Sequence, residues 1–347
     1  MSNITISASL LVVVVLLIFV LHSSFDGEPR KLITIGGIVK DMEIPPNRGE
    51  LFVLYETHSP LQGHLAKITL GPRARIVKEA IIADGAKIFA FSADSSKAYV
   101  LEHPSVPLLG SSFPAKRVYM FDTRSLTQLG DGEVCDPDGA EDMVLDFRNR
   151  LYVLCGRDPQ NGRYTIEIRD TNVVTLLQKL TVESIIESHP RFVGGVDAIH
   201  VSDGTNTFRL HPKAEPIVQT DTGLRPWVLA DVGTSSKYIY LLLRSLSEAH
   251  SLVITLNSHD LSEVTRRSLP GQYYRLTATE GELLAIGGSK PELLLVSGLP
   301  SDNIDIRMLP GRPESIAWSE YLRRLYIAMA VPISPVGTNT QIWSLPL

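Results

Sequence analysis

A short apolar stretch returns seven times along this chain, at residues 51–55, 97–101, 150–154, 197–201, 237–241, 282–286 and 324–328. The spacing, about 40–50 residues, is that of propellers and other repeat arrays. Each copy is too short to bury its own faces. It needs a neighbouring copy on either side, and a ring of such copies leaves none exposed. The repeat therefore predicts an all-β fold over residues 31–347: a seven-bladed β-propeller of four-stranded antiparallel blades. It leaves function open, because one fold hosts many activities.

Residues 86–130 show how a blade is written. Ile88-Phe89-Ala90-Phe91-Ser92 reads as a strand, and Ala93-Asp94-Ser95-Ser96 as a turn. Residues 97–101 form the next strand, and Arg117-Val118-Tyr119-Met120-Phe121-Asp122-Thr123 a third, with a fourth leading towards Val134. Four short strands separated by turn residues make one meander sheet. The third strand ends in Asp-Thr in two successive copies, at Asp122 and Asp170. A carboxylate there is expected to accept backbone N–H bonds and shape the turn. The fourth blade, around 183–220, is the shortest and least regular, with Gly194-Gly195 in its expected inner strand.

The last copy supplies only three strands, whereas Lys31-Leu32-Ile33-Thr34-Ile35-Gly36-Gly37 is a strand without a blade. It is expected to close the ring by pairing with residues 341–345 as the outer strand of the last blade. Such closure removes an edge that would otherwise invite aggregation.

Ahead of the ring, residues 6–21 carry no charge and are rich in Val, Leu and Ile. The stretch approaches the ~20 residues that span a bilayer. Residues 1–22 thus read as a single N-terminal hydrophobic helix, a transmembrane anchor or a signal peptide, and 23–30 as a polar tether. His22-Ser23-Ser24-Phe25 is a poor cleavage site, which favours an anchor. The flanking charges nearly cancel and give little guide to orientation. The expected location is single-pass in the membrane with the propeller extracytoplasmic, the alternative being secretion after cleavage. Acidic residues outnumber Lys and Arg, 38 to 33, and no basic block marks a nucleic-acid footprint.

Phe91-Ser92-Ala93-Asp94-Ser95-Ser96-Lys97-Ala98-Tyr99-Val100, followed by a third strand closing in Asp-Thr, resembles the seven-bladed propellers built from Tyr-Val-Thr-Asn repeats. These are surface and periplasmic proteins of bacteria and archaea. The resemblance covers about residues 31–347, although the Thr-Asn half of the repeat is missing. WD40 propellers are a near neighbour, echoed by Ile342-Trp343-Ser344-Leu345 but without a Trp-Asp pair. The family implied by the resemblance includes amine dehydrogenase subunits and looks distantly like lactonases; no specific motif of either occurs.

Both cysteines, Cys135 and Cys155, fall on one predicted face of the ring. A disulfide there would close a loop of about twenty residues, contribute roughly 3 kcal/mol and require an oxidising compartment. The alternative is two free thiols. Glu56, His58, Glu102, His103, Asp136 and Asp138 gather towards the same face. They have the donor types a metal would accept, but Asp, Pro and Gly at 136–139 are explained by turn chemistry. Arg157, Arg244 and Lys290 follow the cores of blades three, five and six and are candidate binding-face cations or ordinary hairpin residues. No nucleophile elbow, phosphate loop or zinc spacing is present. The expectation is a membrane-tethered or exported, noncatalytic binding or scaffold protein. It would be a monomeric ring with a protein or envelope partner and no cofactor, catalytic residue or metal. The alternative is an enzyme or enzyme subunit, lactonase-like or amine-dehydrogenase-like, acting at the channel mouth.

Overall fold

The computed structural model describes residues 29–347 except 46–47, 59–60, 72, 83–84, 103–115, 137–138, 147, 159–161, 183–189, 195–198, 205, 212–213, 222–226, 281–282, 298–302 and 335–336. The apolar segment at 6–21 and most of the tether lie outside the described residues. Among the described residues no helix is long and apolar enough to cross a membrane.

Seven four-stranded antiparallel sheets form the blades of a propeller. Their inner strands are Ile38–Glu43, Ala86–Phe91, Ala140–Leu145, Arg191–Gly194, Trp227–Thr234, Tyr273–Ala278 and Arg312–Ser319. In blades 1 to 6 the strands follow one another outward in chain order. The recurring apolar stretches are the second strands: Glu50–His58, Lys97–Glu102, Arg150–Cys155, Ile199–Ser202, Tyr238–Ser245, Leu284–Gly288 and Arg324–Ser334. A second strand is covered on both faces by adjacent blades, so it reads as an unbroken apolar run rather than an alternation.

The core accordingly lies between blades. Tyr99, Leu101 and Val118 of blade 2 pack on Met143, Leu151 and Val153 of blade 3. Phe52 and Leu54 of blade 1 meet Phe89, Phe91 and Val100 of blade 2, with the Phe52 and Phe91 rings edge to face at 4.9 Å. Each fully buried side chain of this size contributes about 1.5–3 kcal/mol. No blade can collect that stabilisation alone.

The strand ahead of blade 1, Arg30–Ile35, pairs antiparallel with Gly337–Pro346 and becomes the outer strand of blade 7. Arg30 faces Ser344 and Ile35 faces Thr340, with an irregularity between Lys31 and Ile33. The ring is closed by a strand from the opposite end of the fold.

The ends of the third strands carry the expected turn chemistry. Asp122 accepts the amides of Arg124 (3.0 Å) and Ser125 (2.7 Å). Asp170 accepts those of Asn172 (2.7 Å) and Val173 (3.3 Å). Each turn continues into an apolar residue with positive φ, Leu126 at 54° and Val174 at 54°. A β-branched residue resists that conformation. Val174 adopts it while its side chain, 2 % exposed, seals the junction with blade 2. There it covers Gly132, where a Cβ would approach the Val174 Cβ to 2.9 Å.

Blade 4 has the shortest inner strand, four residues long. The outer strand of blade 2 does not reach Val134, towards which the sequence leads it. That strand, Gln128–Glu133, stops earlier, and Cys135 turns at φ 55° into the link to blade 3.

Candidate functional site

The inner strands surround a central channel of about 660 Å³. Six of them break register near their start, between Val39/Asp41, Ala86/Ile88, Ala140/Asp142, Leu229/Asp231, Tyr273/Arg275 and Pro313/Ser315. A bulge of this kind bends the strand and re-aims the next side chain. The residues so placed are Asp41, Ile88, Asp142, Asp231, Arg275 and Ser315, and Arg191 stands at the same level in blade 4. Around blades 3, 4, 5 and 6 this ring reads Asp142, Arg191, Asp231, Arg275, with Asp41 in blade 1.

The three aspartates make the same pair of bonds. Asp41 accepts the amide of Met42 (2.9 Å) and, across the blade boundary, that of Phe89 (3.4 Å). Asp142 accepts Met143 (3.0 Å) and Phe192 (2.7 Å). Asp231 accepts Val232 (3.0 Å) and Leu276 (2.9 Å). Each carboxylate thus latches an odd-numbered blade to the next one and satisfies two inner-strand amides. At the blade 6–7 junction the tie is reversed, with Arg275 donating its Nε to the Glu314 carbonyl at 2.5 Å.

Burial dominates the electrostatics. It pushes the Asp41 carboxyl up to about 7, against the two amide bonds and Arg275. Glu43, one pleat further along the same strand, is pushed up to about 8 by burial and by its neighbour Asp41. Asp142 and Asp231 are also raised by burial, with Arg191 opposing most at the first and Arg275 at the second. Burial lowers the pKa of Arg191, but Asp142, Asp231 and Asp41 more than offset it, and its net shift is upward.

The rim residues singled out from sequence, where they are described, have separate local partners. Glu56 is buried, holds Lys40 at 2.8 Å and accepts the Ala86 amide at 3.3 Å, so its role is to join blades 1 and 2. Glu102 is buried and accepts the Tyr119 hydroxyl at 3.5 Å. Neither offers a free carboxylate at the surface, because both sit where a second strand is still packed between blades. Asp136 is exposed and pairs with Lys116 at 3.2 Å. Exposed Arg157 donates to the Gly162 carbonyl of its own hairpin at 2.9 Å. Arg244 lies over the Tyr274 ring at 5.5 Å, and Lys290 is exposed. His103, Asp138 and the side chain of His58 lie outside the described residues.

Cys135 and Cys155 are joined by a disulfide, with Cα atoms 5.1 Å apart and a sequence separation of 20. It fastens the link leaving blade 2 to the second strand of blade 3. The Cys135 amide donates to buried Glu167 at 3.0 Å, and Arg169 donates to the same carboxylate oxygen at 2.6 Å. Among the described residues, the His, Cys, Asp and Glu groups close enough to share a metal are Cys135, Cys155 and Glu167 alone. There the two sulfurs are bonded to each other.

The channel ring is the feature that sequence reading missed. The available signal was an Asp within an inner strand followed each time by an apolar residue: Asp41-Met42, Asp142-Met143 and Asp231-Val232.

No protein-family model matches the chain, and no curated protein sequence matches it significantly. Solved structures similar to it include WD40 and other propeller domains. The Neurospora crassa Pan2 WD40 domain superposes with a TM-score of 0.65 at 12% identity, covering 92% of this chain and 96% of that one. The Myceliophteria thermophila Cps50 (Swd1) β-propeller domain gives 0.66 at 9% identity, covering 91% and 99%. Kuenenia stuttgartiensis hydrazine synthase gives 0.62 at 14% identity, covering 86% and 94%. At such identities the likeness is one of fold.

Proposed function

We propose that this chain is a noncatalytic binding or scaffold propeller held outside the cytosol by its N-terminal apolar segment. The observation that carries the reading is the Cys135–Cys155 disulfide. Bridges of this kind persist in oxidising compartments, and this one lies on the face where Lys97–Glu102 ends and Arg117–Asp122 begins. Loops on a rigid scaffold are where partners bind. WD40 domains among the similar folds support a protein partner. The uncharged run at 6–21 supports tethering, and the Ser-x-Asp and Tyr-Val pattern of blade 2 supports kinship with the Tyr-Val-Thr-Asn-repeat propellers.

The test is thiol labelling in intact cells and in lysate, with and without reductant, together with membrane partition. Labelling only after reduction, with the protein in the membrane fraction, is the expected result. Labelling in native lysate without reductant would overturn the extracytoplasmic placement.

A second reading is an enzyme subunit working from the channel. It draws on Asp41 and Glu43, raised by burial to about 7 and about 8, the range in which general acids and bases operate.

A further inference from the structure

The channel holds fixed charges of both signs that do not neutralise one another by contact. Asp142, Arg191, Asp231 and Arg275 alternate around four successive blades. The carboxylates are held rigid by two amides each. Arg275 is committed to the carbonyls of Glu314 and Tyr274. The guanidinium of Arg191 forms no hydrogen bond and no ion pair among the described residues, although Asp142, Asp231 and Asp41 act on it through space. At the channel mouth the opposite holds: Lys40 contacts Glu56 at 2.8 Å and Lys87 contacts Glu141 at 3.2 Å.

We propose that the channel binds a small zwitterion, a molecule of amino-acid to short-peptide size carrying one carboxylate and one ammonium group. Its carboxylate pairs with the open fork of Arg191, the geometry guanidinium favours. Its ammonium lies among the flanking carboxylates of Asp142 and Asp231. The reading is independent of the rim partner.

Competing ligand classes fit less well. A simple anion paired with Arg191 would face Asp142 and Asp231 in the blades on either side of it, and a simple cation would leave Arg191 unmet. A metal ion is disfavoured by spacing, since no three carboxylates of the channel bring ligand atoms within 4.8 Å of one another among the described residues. The volume, about 660 Å³, lies inside the range of small-molecule sites. Charges already positioned by hydrogen bonds to the inner strands need little reorganisation when a complementary ligand enters.

The experiment is calorimetric titration of the intact propeller with glycine, alanine and glycylglycine. Acetate, methylamine and N-acetylglycinamide serve as single-charge and neutral controls. The expected result is binding of one or more zwitterions and of none of the controls. Arg191→Gln should weaken that binding by about tenfold or more in a ring that a cooperative melting transition shows to be folded at the temperature of the titration. Arg191→Lys keeps the charge but loses the planar fork and should also weaken binding. Equal binding of acetate or methylamine, undiminished binding by both Arg191 variants, or no heat from any zwitterion up to about 10 mM would overturn the proposal.

Discussion

The Thr340 hydroxyl donates to the Gly37 carbonyl at 2.8 Å and accepts the Val39 amide at 3.3 Å. One fully buried side chain in blade 7 therefore fixes the turn between the closing strand and the first inner strand, across 303 positions of sequence.

Thr340→Val keeps the shape of that side chain and removes its hydroxyl. The Gly37 carbonyl and Val39 amide would be left buried without it, which costs about 1–3 kcal/mol per orphaned group. Urea unfolding should show a lower midpoint with an unchanged slope. An unchanged midpoint would mean that the seam is held by the strand ladder alone.

Asp231→Ala should loosen one boundary rather than the whole ring. It releases the amides of Val232 and Leu276 together. A loss of about 1–3 kcal/mol is expected, with faster hydrogen exchange at Leu276 than at the Phe192 amide held by Asp142. Uniform acceleration around the ring would contradict a local latch.

Replacing Cys135 and Cys155 with serine should destabilise the propeller by roughly 3 kcal/mol on the chain-entropy account. The bridge closes a separation of 20 residues. Comparing melting temperatures with and without reductant checks it, since the wild type should fall towards the double variant and the variant should not respond. A reductant-insensitive wild type with fully protected thiols would show the bond to be inaccessible rather than unimportant, which alkylation after unfolding resolves.

Stability should decline as pH rises from about 4 to about 8. Asp41 and Glu43 are raised from 3.8 and 4.5 to about 7 and about 8 by burial. A carboxyl with a higher pKa folded than unfolded holds its proton more tightly in the folded state. Its stabilisation is complete below the unfolded value and is lost as pH climbs through the folded one. Glu43→Gln should flatten the upper part of this decline and make the ring relatively more stable at pH 8. A series of urea midpoints across that window decides the matter. A rising trend, or an identical slope in the variant, would show that Glu43 does not titrate there.

Much of the architecture was readable because a propeller writes itself in second strands. Residues 51–55, 98–101 and 151–154 are runs of apolar and aromatic residues, since blades cover both their faces, and a shorter form of that signal recurs in the other copies. The orphan strand at 31–37 was legible by elimination, because three strands cannot complete a blade. The channel was not. Its charges depend on a bulge that turns Asp41, Asp142 and Asp231 inward, and a bulge leaves no residue signature of its own. Two of the rim carboxylates are placed by a related effect. Glu56 and Glu102 look like loop-proximal carboxylates in sequence, yet the second strand carries them still inside the stack.

The closing strand has a consequence for the order of events during synthesis. Arg30–Ile35 emerges from the ribosome before all seven inner strands, but its partner at 340–344 is made some 300 residues later. For that interval a strand with unpaired edges must wait, and non-local pairing of this span is slow. A stalled or truncated chain lacking residues 340–344 would leave a nearly complete stack of blades with one adhesive end. Such a product is a natural target for chaperones, and the finished ring offers them no comparable handle.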